Sequence, residues 1–170
     1  MTIREETPEL LRYLRTVLRS DPSNGHVFWL SSPSRRYKAG NRAGSNRAYS
    51  CVSIRRDGLP PIDVRVSRMI WAFEMNRWPA NEIDHRDRNP RNNSFSNLRE
   101  ATDSQNGANK AVRRSSVSGL KGVRLHRKTG LWNARIGAEG KSLGYFKTSE
   151  DAYAAYVKAA INRFGEFACV

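Results

Sequence analysis

Short apolar segments separated by turn sequences constrain the fold most strongly, and they lie in the C-terminal third of the chain. Segments 122–125, 131–136 and 141–146 are separated by Lys128-Thr129-Gly130 and Glu139-Gly140, which are hairpin-turn sequences. Because such turns join neighbouring antiparallel strands, the three segments are predicted to form one antiparallel sheet.

An alanine-rich segment follows this sheet and is predicted to be a helix that runs to about Phe164. Thr148, with Asp151 three residues later, matches the acidic form of a capping box, and Gly165 is suited to end the helix. Three strands and one helix make a small domain, which we expect to span residues 118–170.

The N-terminal region has both helical and strand patterns. Thr7 and Pro8 suit a helix start, and the apolar spacing that follows is helical through Leu18. Segments 26–30 and 48–54 are predicted strands, and 66–78 is a predicted helix covering the core. We expect one domain over residues 1–110 and a basic linker over 111–117, because the linker lacks large apolar side chains.

The charge of the chain indicates a polyanionic partner. Lys and Arg number 30 against 16 Asp and Glu, a formal net charge of +14 among 170 residues. Nucleic acid is the commonest partner of such proteins. The alternative is a charge surplus that only increases solubility, as in some ribosome-associated proteins.

The two cysteines restrict the metal chemistry and the compartment. Cys51 and Cys169 are far apart and form no Cys-x-x-Cys pair, which excludes a four-cysteine zinc site and a disulfide framework. A reducing compartment fits this usage. Without an apolar run of roughly 20 residues for a membrane span, the chain is expected to be soluble and cytoplasmic.

The segment 82–109 brings together residues suited to phosphodiester hydrolysis. Asp84 and His85 end a short apolar segment, and 98–102 is a predicted strand. Asp103 or Ser104 is then expected to cap a helix that carries Asn106. Histidine titrates near neutrality and supplies a base, while Asp and Asn oxygens suit Mg²⁺ or Mn²⁺.

This segment resembles the ββα-metal (His-Me finger) core of phage-type HNH endonucleases. His85 and Asn97 are twelve residues apart, and Asp84 and Asn106 are twenty-two apart. The resemblance is carried by Glu82-Ile83-Asp84-His85, Asn92-Asn93, Asn97-Leu98-Arg99, Ala101-Thr102 and Gln105-Asn106. It extends upstream through Lys38-Ala39-Gly40 and Arg68-Met69-Ile70-Trp71, and the core itself is expected at about residues 80–111.

The resemblance implies a role for each of four residues. His85 is the general base that activates water, and Asp84 and Asn106 bind one Mg²⁺ or Mn²⁺ ion per active site. Asn97 holds the loop by hydrogen bonds and orients His85. Asn106 stands where the motif name has its final His, as in a recognised subset of the family, and the structural zinc of other branches is not expected.

The C-terminal region contains, in this order, Lys121-Gly122-Val123-Arg124, Gly130-Leu131-Trp132-Asn133-Ala134-Arg135-Ile136, Leu143-Gly144-Tyr145-Phe146, Ser149-Glu150-Asp151-Ala152, Ala154-Ala155-Tyr156 and Ala159-Ala160. With these motifs, residues 116–168 resemble an AP2 domain, a family that places a three-stranded sheet in the DNA major groove. By motif position Arg124, Trp132 and Arg135 are the expected DNA contacts, and core packing is the alternative for Trp132. The expected phosphate partners are Arg127, Lys128 and Lys141. Ser142 replaces a Trp that is common in the family, which puts the family's base preference in doubt.

The chain is therefore expected to be an α+β protein that combines an HNH nuclease core with an AP2-like DNA-binding domain. The predicted activity is metal-dependent hydrolysis of duplex DNA, with a single active centre that favours nicking by a monomer. By resemblance, such phage proteins are often homing endonucleases. A non-catalytic DNA-binding regulator with a degenerate core and an RNA-directed nuclease are the alternatives.

Overall fold

The structure is a computed structural model that describes residues 6–32, 34–35, 37–45, 48–56 and 58–170. It is a mixed α and β protein with small antiparallel sheets. The chain divides into two compact units, of which the first ends at Glu100 and the second begins at Ala101.

The first unit is built from two helices and short strands. Its described elements are α1 Pro8–Val17, β1 Leu18–Asp21, β2 His26–Trp29, β3 Arg42–Ala43, β4 Cys51–Arg56, β5 Leu59–Arg65, α2 Val66–Met75, β6 Glu82–His85 and β7 Leu98–Ala101, which crosses the boundary by one residue. Strands β1, β2 and β3 form one antiparallel sheet, β4 and β5 form an antiparallel pair, and β6 pairs with β7.

The core of this unit lies between α1, α2 and the inner sheet faces. Apolar residues of α1 recur on one face of the helix, and alternate residues of β2 and β4 are buried. Side chains with relative exposure of 2% or less include Leu14, Leu18, Val27, Val52, Ile54, Met69 and Ile70.

Both predicted helices of the first unit are confirmed, but each ends earlier than predicted: α1 at Val17 and α2 at Met75. Thr7 Oγ1 accepts a hydrogen bond from Leu10 N at 3.1 Å, so the predicted start of α1 is also confirmed. Leu18, which the spacing placed on the helix, begins β1 instead, because its apolar side chain is buried equally well from a strand. Helix α2 ends at Met75, where Asn76 adopts a left-handed conformation with φ 53°.

The second unit contains the predicted sheet and helix. Its elements are α3 Asp103–Asn109, β8 Val123–His126, β9 Leu131–Ile136, β10 Lys141–Phe146 and α4 Ser149–Phe164. The strands are antiparallel in the order β10-β9-β8, so the predicted sheet is confirmed. Thr148 Oγ1 accepts from Asp151 N at 3.1 Å and Gly165 caps the other end of α4, as predicted.

The division between the units falls upstream of the predicted linker. Helix α3 is grouped with the second unit, where Cys169 N donates to Ala108 O at 3.1 Å and Lys121 Nζ binds the Ala108 and Lys110 carbonyls. These contacts hold α3 to the C-terminal unit, and the predicted domain boundary near residue 110 stays a prediction. Residues 111–117 themselves contain no helix or strand.

Helix α4 packs closely against the sheet through Tyr156. Gly122 has φ +71°, and a Cβ there would lie 2.1 Å from Cδ2 of the Tyr156 ring, so only glycine fits. Burial, with smaller effects from Cys169 and Tyr153, raises the pKa of Tyr156 to about 12.

This shift predicts a loss of stability at alkaline pH. The unfolded chain releases the phenolic proton at about pH 10, before the folded chain does, so the contribution is present below that pH and is lost as the pH rises toward 12. We expect the free energy of unfolding of the wild type to fall over this range relative to Tyr156→Phe, measured by urea denaturation. Parallel pH profiles of the two proteins would contradict this assignment.

Among the described residues, no helix is both long and apolar enough to cross a membrane.

Candidate active site and nucleic-acid interface

Strand β6 brings Asp84 and His85 into the interior of the first unit. Their relative exposures are 4% and 8%, and Ile83 before them belongs to the apolar core. Burial of an acid and an imidazole side by side requires polar partners, because an uncompensated buried charge is costly. The partners come from β7 and from the loop between the two strands.

Arg99 on β7 forms a buried ion pair with Asp84. Its Nε and Nη2 lie 2.9 and 2.8 Å from the same oxygen, Asp84 Oδ2, and the two side chains are 7% and 5% exposed. The guanidinium therefore compensates the carboxylate charge. The motif resemblance implies no role for Arg99, although Asn97-Leu98-Arg99 is part of the motif that carries it.

His85 has its described hydrogen-bond partner in the loop. Nε2 of the ring lies 3.0 Å from Oδ1 of Asn93, which is 3% exposed. The motif resemblance implies the orienting role for Asn97 and none for Asn93. The paired Asn92-Asn93 of the motif was the signal that pointed to this residue.

Asn97 organises the loop between β6 and β7. Its Oδ1 accepts from Asp87 N at 3.0 Å, and its Nδ2 donates to Asp87 Oδ1 at 2.9 Å and to Asn92 O at 2.8 Å. Desolvation would raise the pKa of Asp87, but hydrogen bonds from Asn89 N and from the Asn92 and Asn97 side chains, with the nearby His85, hold that pKa below its usual value. The loop is thus fixed by a network centred on one ionised carboxylate.

Asn106 lies on α3, in the second unit, and is partly buried. The helix begins with a complete capping box, in which the Thr102 side chain accepts from Gln105 N and the Gln105 side chain accepts from Thr102 N. The cap is therefore Thr102, not Asp103 or Ser104 as expected, because Gln105 stands at the third helical position and completes the box.

The donor chemistry of this region suits a hard divalent cation. Among the residues that the structure describes, no group of three or more His, Cys, Asp and Glu side chains is arranged to hold a metal. Carboxylate oxygens such as those of Asp84 are of the kind that Mg²⁺ takes alongside substrate phosphates and water. Any cation that this carboxylate held would have to share it with the guanidinium of Arg99, which binds Oδ2.

The sheet of the second unit has one exposed, basic face. Arg124 pairs with Asn133, which pairs with Tyr145, and residues directly opposite share a face. Alternation adds His126 and Arg135 to the same face. Arg124 and Arg135 are exposed, and the His126 and Tyr145 rings meet edge to face at 5.4 Å between centroids.

The other face of the sheet packs against α4. Trp132 pairs with Leu125 and Phe146, and it packs against the buried cluster of Val123, Ala134 and Ala152. The structure therefore favours core packing, not DNA contact, for Trp132.

The five remaining predicted contacts occupy different places. Lys141 pairs with the buried Ile136 and so starts β10 on the helix side of the sheet. Arg127 and Lys128 are exposed in the turn between β8 and β9. The exposed face holds Arg124 and Arg135 together, and Arg135 Nε donates to Gly140 O at 2.8 Å, which fixes its side chain.

Comparison with known proteins finds similarity to a nuclease family over the segment that contains β6, β7 and nearly all of α3. A model of the HNH endonuclease family matches residues 64–108. Protein 3.8 of Escherichia phage T7 is 41% identical over 59 residues, which are 35% of this chain and 49% of that protein. The match thus spans about half the length of that relative. No solved structure matches the chain significantly.

Proposed function

We propose that the protein is a metal-dependent endonuclease that hydrolyses phosphodiester bonds in duplex DNA. The observation that carries the proposal is the buried arrangement of Asp84, His85, Asn93 and Arg99 inside the segment that matches the HNH family. A net charge of +14 favours the same kind of substrate.

His85 is the general base of the proposed reaction. The neutral imidazole accepts a proton from the attacking water at the nitrogen that does not face Asn93. The Asp87–Asn97 network holds the loop in place around the ring. Asp84 and Asn106 are the proposed cation ligands, by resemblance. When bound there, a Mg²⁺ or Mn²⁺ ion would supply positive charge opposite the scissile phosphate.

The C-terminal sheet is the proposed anchor on duplex DNA, in the manner of an AP2 domain. Arg124 and Arg135 on the exposed face, with Arg127 and Lys128 in the adjacent turn, are suited to phosphates and guanine edges. Nicking by a monomer in the cytoplasm of a bacterial host, as part of a homing cycle, is the corresponding biological hypothesis; the phage relative supports only the phage setting.

A plasmid nicking assay tests the catalytic proposal. Supercoiled DNA is incubated with the protein and Mg²⁺ or Mn²⁺, and a matched reaction contains excess EDTA. We expect conversion to the open circular form with either cation and none with EDTA. Binding to DNA without any cleavage would leave only a DNA-binding regulator, and preferential cleavage of competitor RNA would overturn the choice of substrate.

Single substitutions on the sheet test the anchoring proposal. Arg124→Ala and Arg135→Ala are each expected to weaken duplex binding and to make the plot of log affinity against log salt less steep by about 0.9 per lost phosphate contact. Lys158→Ala removes the same charge from the exposed side of α4 and is the matched control. Equal salt slopes for all three variants, measured by fluorescence anisotropy, would refute the role of this face.

A further inference from the structure

We propose that Asn93 is the positioning residue of the general base, and that it selects the tautomer in which His85 carries its proton on Nε2. The inference rests on the proposed function for the chemistry, but its geometry stands by itself. It assigns to Asn93 the orienting role that the motif resemblance gave to Asn97.

The hydrogen bond between the two side chains fixes the proton. An amide oxygen only accepts hydrogen bonds, so Nε2, 3.0 Å from Asn93 Oδ1, is the donor. A neutral imidazole that carries its proton on Nε2 has an unprotonated Nδ1. Nδ1 is therefore the nitrogen that can accept a proton from water. In the opposite tautomer Nδ1 already carries a proton, so it could not act as the base.

Asn93 is held on both sides by its neighbours in the loop. Asn92 donates through Nδ2 to Asp87 Oδ2 at 2.7 Å, and its carbonyl accepts from Asn97 at 2.8 Å. Ser94 donates through Oγ to Asn92 Oδ1 at 2.7 Å. Asn97 thus acts on His85 through the loop backbone, whereas Asn93 contacts the ring directly.

A turn from another part of the first unit also supports Asn93. Gly25, between β1 and β2, has φ +72°, and a Cβ there would lie 2.3 Å from the carbonyl carbon of Asn93 and 2.4 Å from Ser94 N. Phe95 N donates to Pro22 O at 2.8 Å. The backbone that carries Asn93 is therefore packed against a turn about 70 residues earlier in the sequence, which restricts its movement toward or away from His85.

Two substitutions of Asn93 separate its acceptor oxygen from its bulk. Asn93→Leu keeps a similar volume without an acceptor, and Asn93→Asp restores an acceptor oxygen. In single-turnover cleavage with saturating protein, we expect Asn93→Leu to lower the rate constant by about 10- to 100-fold, the scale of losses when a partner that orients a functional histidine is removed. Duplex affinity should remain unchanged, and Asn93→Asp should recover most of the rate.

Asn81→Leu is the matched control, because Asn81 also lies in the first unit, just before β6, but its side chain is exposed. We expect this variant to cleave at the wild-type rate. A wild-type rate for Asn93→Leu, or a rate for Asn93→Asp as low as that for Asn93→Leu, would overturn the proposal.

Nitrogen NMR of labelled histidine gives a readout that does not depend on cleavage. The protein has three histidines, and a His85→Gln sample assigns the His85 signals. At neutral or mildly alkaline pH we expect the proton of the wild-type His85 ring on Nε2, and a mixture of tautomers in Asn93→Leu. A proton on Nδ1 in the wild type overturns the proposal, even if Asn93→Leu fails to fold. If the wild type does not cleave DNA, the proposed function fails while the NMR result still decides the role of Asn93.

Discussion

Replacement of His85 by alanine is expected to abolish cleavage while leaving duplex binding intact. General base catalysis contributes about 10²- to 10⁴-fold to such reactions, and this imidazole is the proposed proton acceptor. The side chain is 8% exposed inside the first unit, whereas the proposed DNA anchor lies on the sheet of the second unit. The measurement is the rate of plasmid nicking with Mg²⁺, together with duplex affinity in EDTA.

His26→Ala is the matched control for this prediction. His26 also lies in the first unit, on β2, where its ring meets Phe28 edge to face. We expect this variant to cleave at close to the wild-type rate. If His85→Ala nicked DNA as fast as the control, His85 would not be the base, and the role of Asn93 in catalysis would fail with it.

Replacement of Arg99 by methionine is expected to lower the free energy of unfolding by about 3–5 kcal/mol. Methionine fills much of the space of the arginine side chain but leaves the carboxylate of Asp84, 5% exposed, without the guanidinium that compensates it. Urea denaturation followed by tryptophan fluorescence measures the change. The double variant Asp84→Asn/Arg99→Met should recover part of the lost free energy of unfolding, because it also removes the negative charge of Asp84.

The exposed ion pair between Arg12 and Glu9 provides the comparison. Its side chains are 75% and 70% exposed, and pairs of this kind contribute about 0–1 kcal/mol. Arg12→Met should therefore change stability little. An Arg99→Met variant as stable as Arg12→Met would show that the buried pair contributes no more than a surface pair.

Local sequence patterns predicted the regular elements because their causes are local. The glycine-containing turns after His126 and Ile136 define β8, β9 and β10, and the Thr148–Asp151 cap defines the start of α4. The ends of helices and strands were less predictable where a side chain can be buried in either conformation. Leu18 fits the helical spacing of α1, but it lies on β1, where its side chain is also buried.

The strand register was needed to decide which face of the sheet each residue occupies. Alternation separated Trp132 from Arg135, but it did not show which face α4 covers. The pairing of Trp132 with Leu125 and Phe146 against the apolar cluster decides this. Likewise, local patterns predicted α3 itself, but only the fold shows that its last turn makes hydrogen bonds with Cys169 and Lys121.

From the sequence alone, Asp84, His85 and Asn106 are proposed for the site because their side-chain types suit phosphodiester hydrolysis, and the resemblance to HNH endonucleases adds Asn97. Only the tertiary structure decided their neighbours: Arg99 against Asp84, and Asn93 against His85. Partner choice depends on where an irregular loop and a second strand bring side chains 8 to 15 residues away, and no periodicity in the sequence encodes that path.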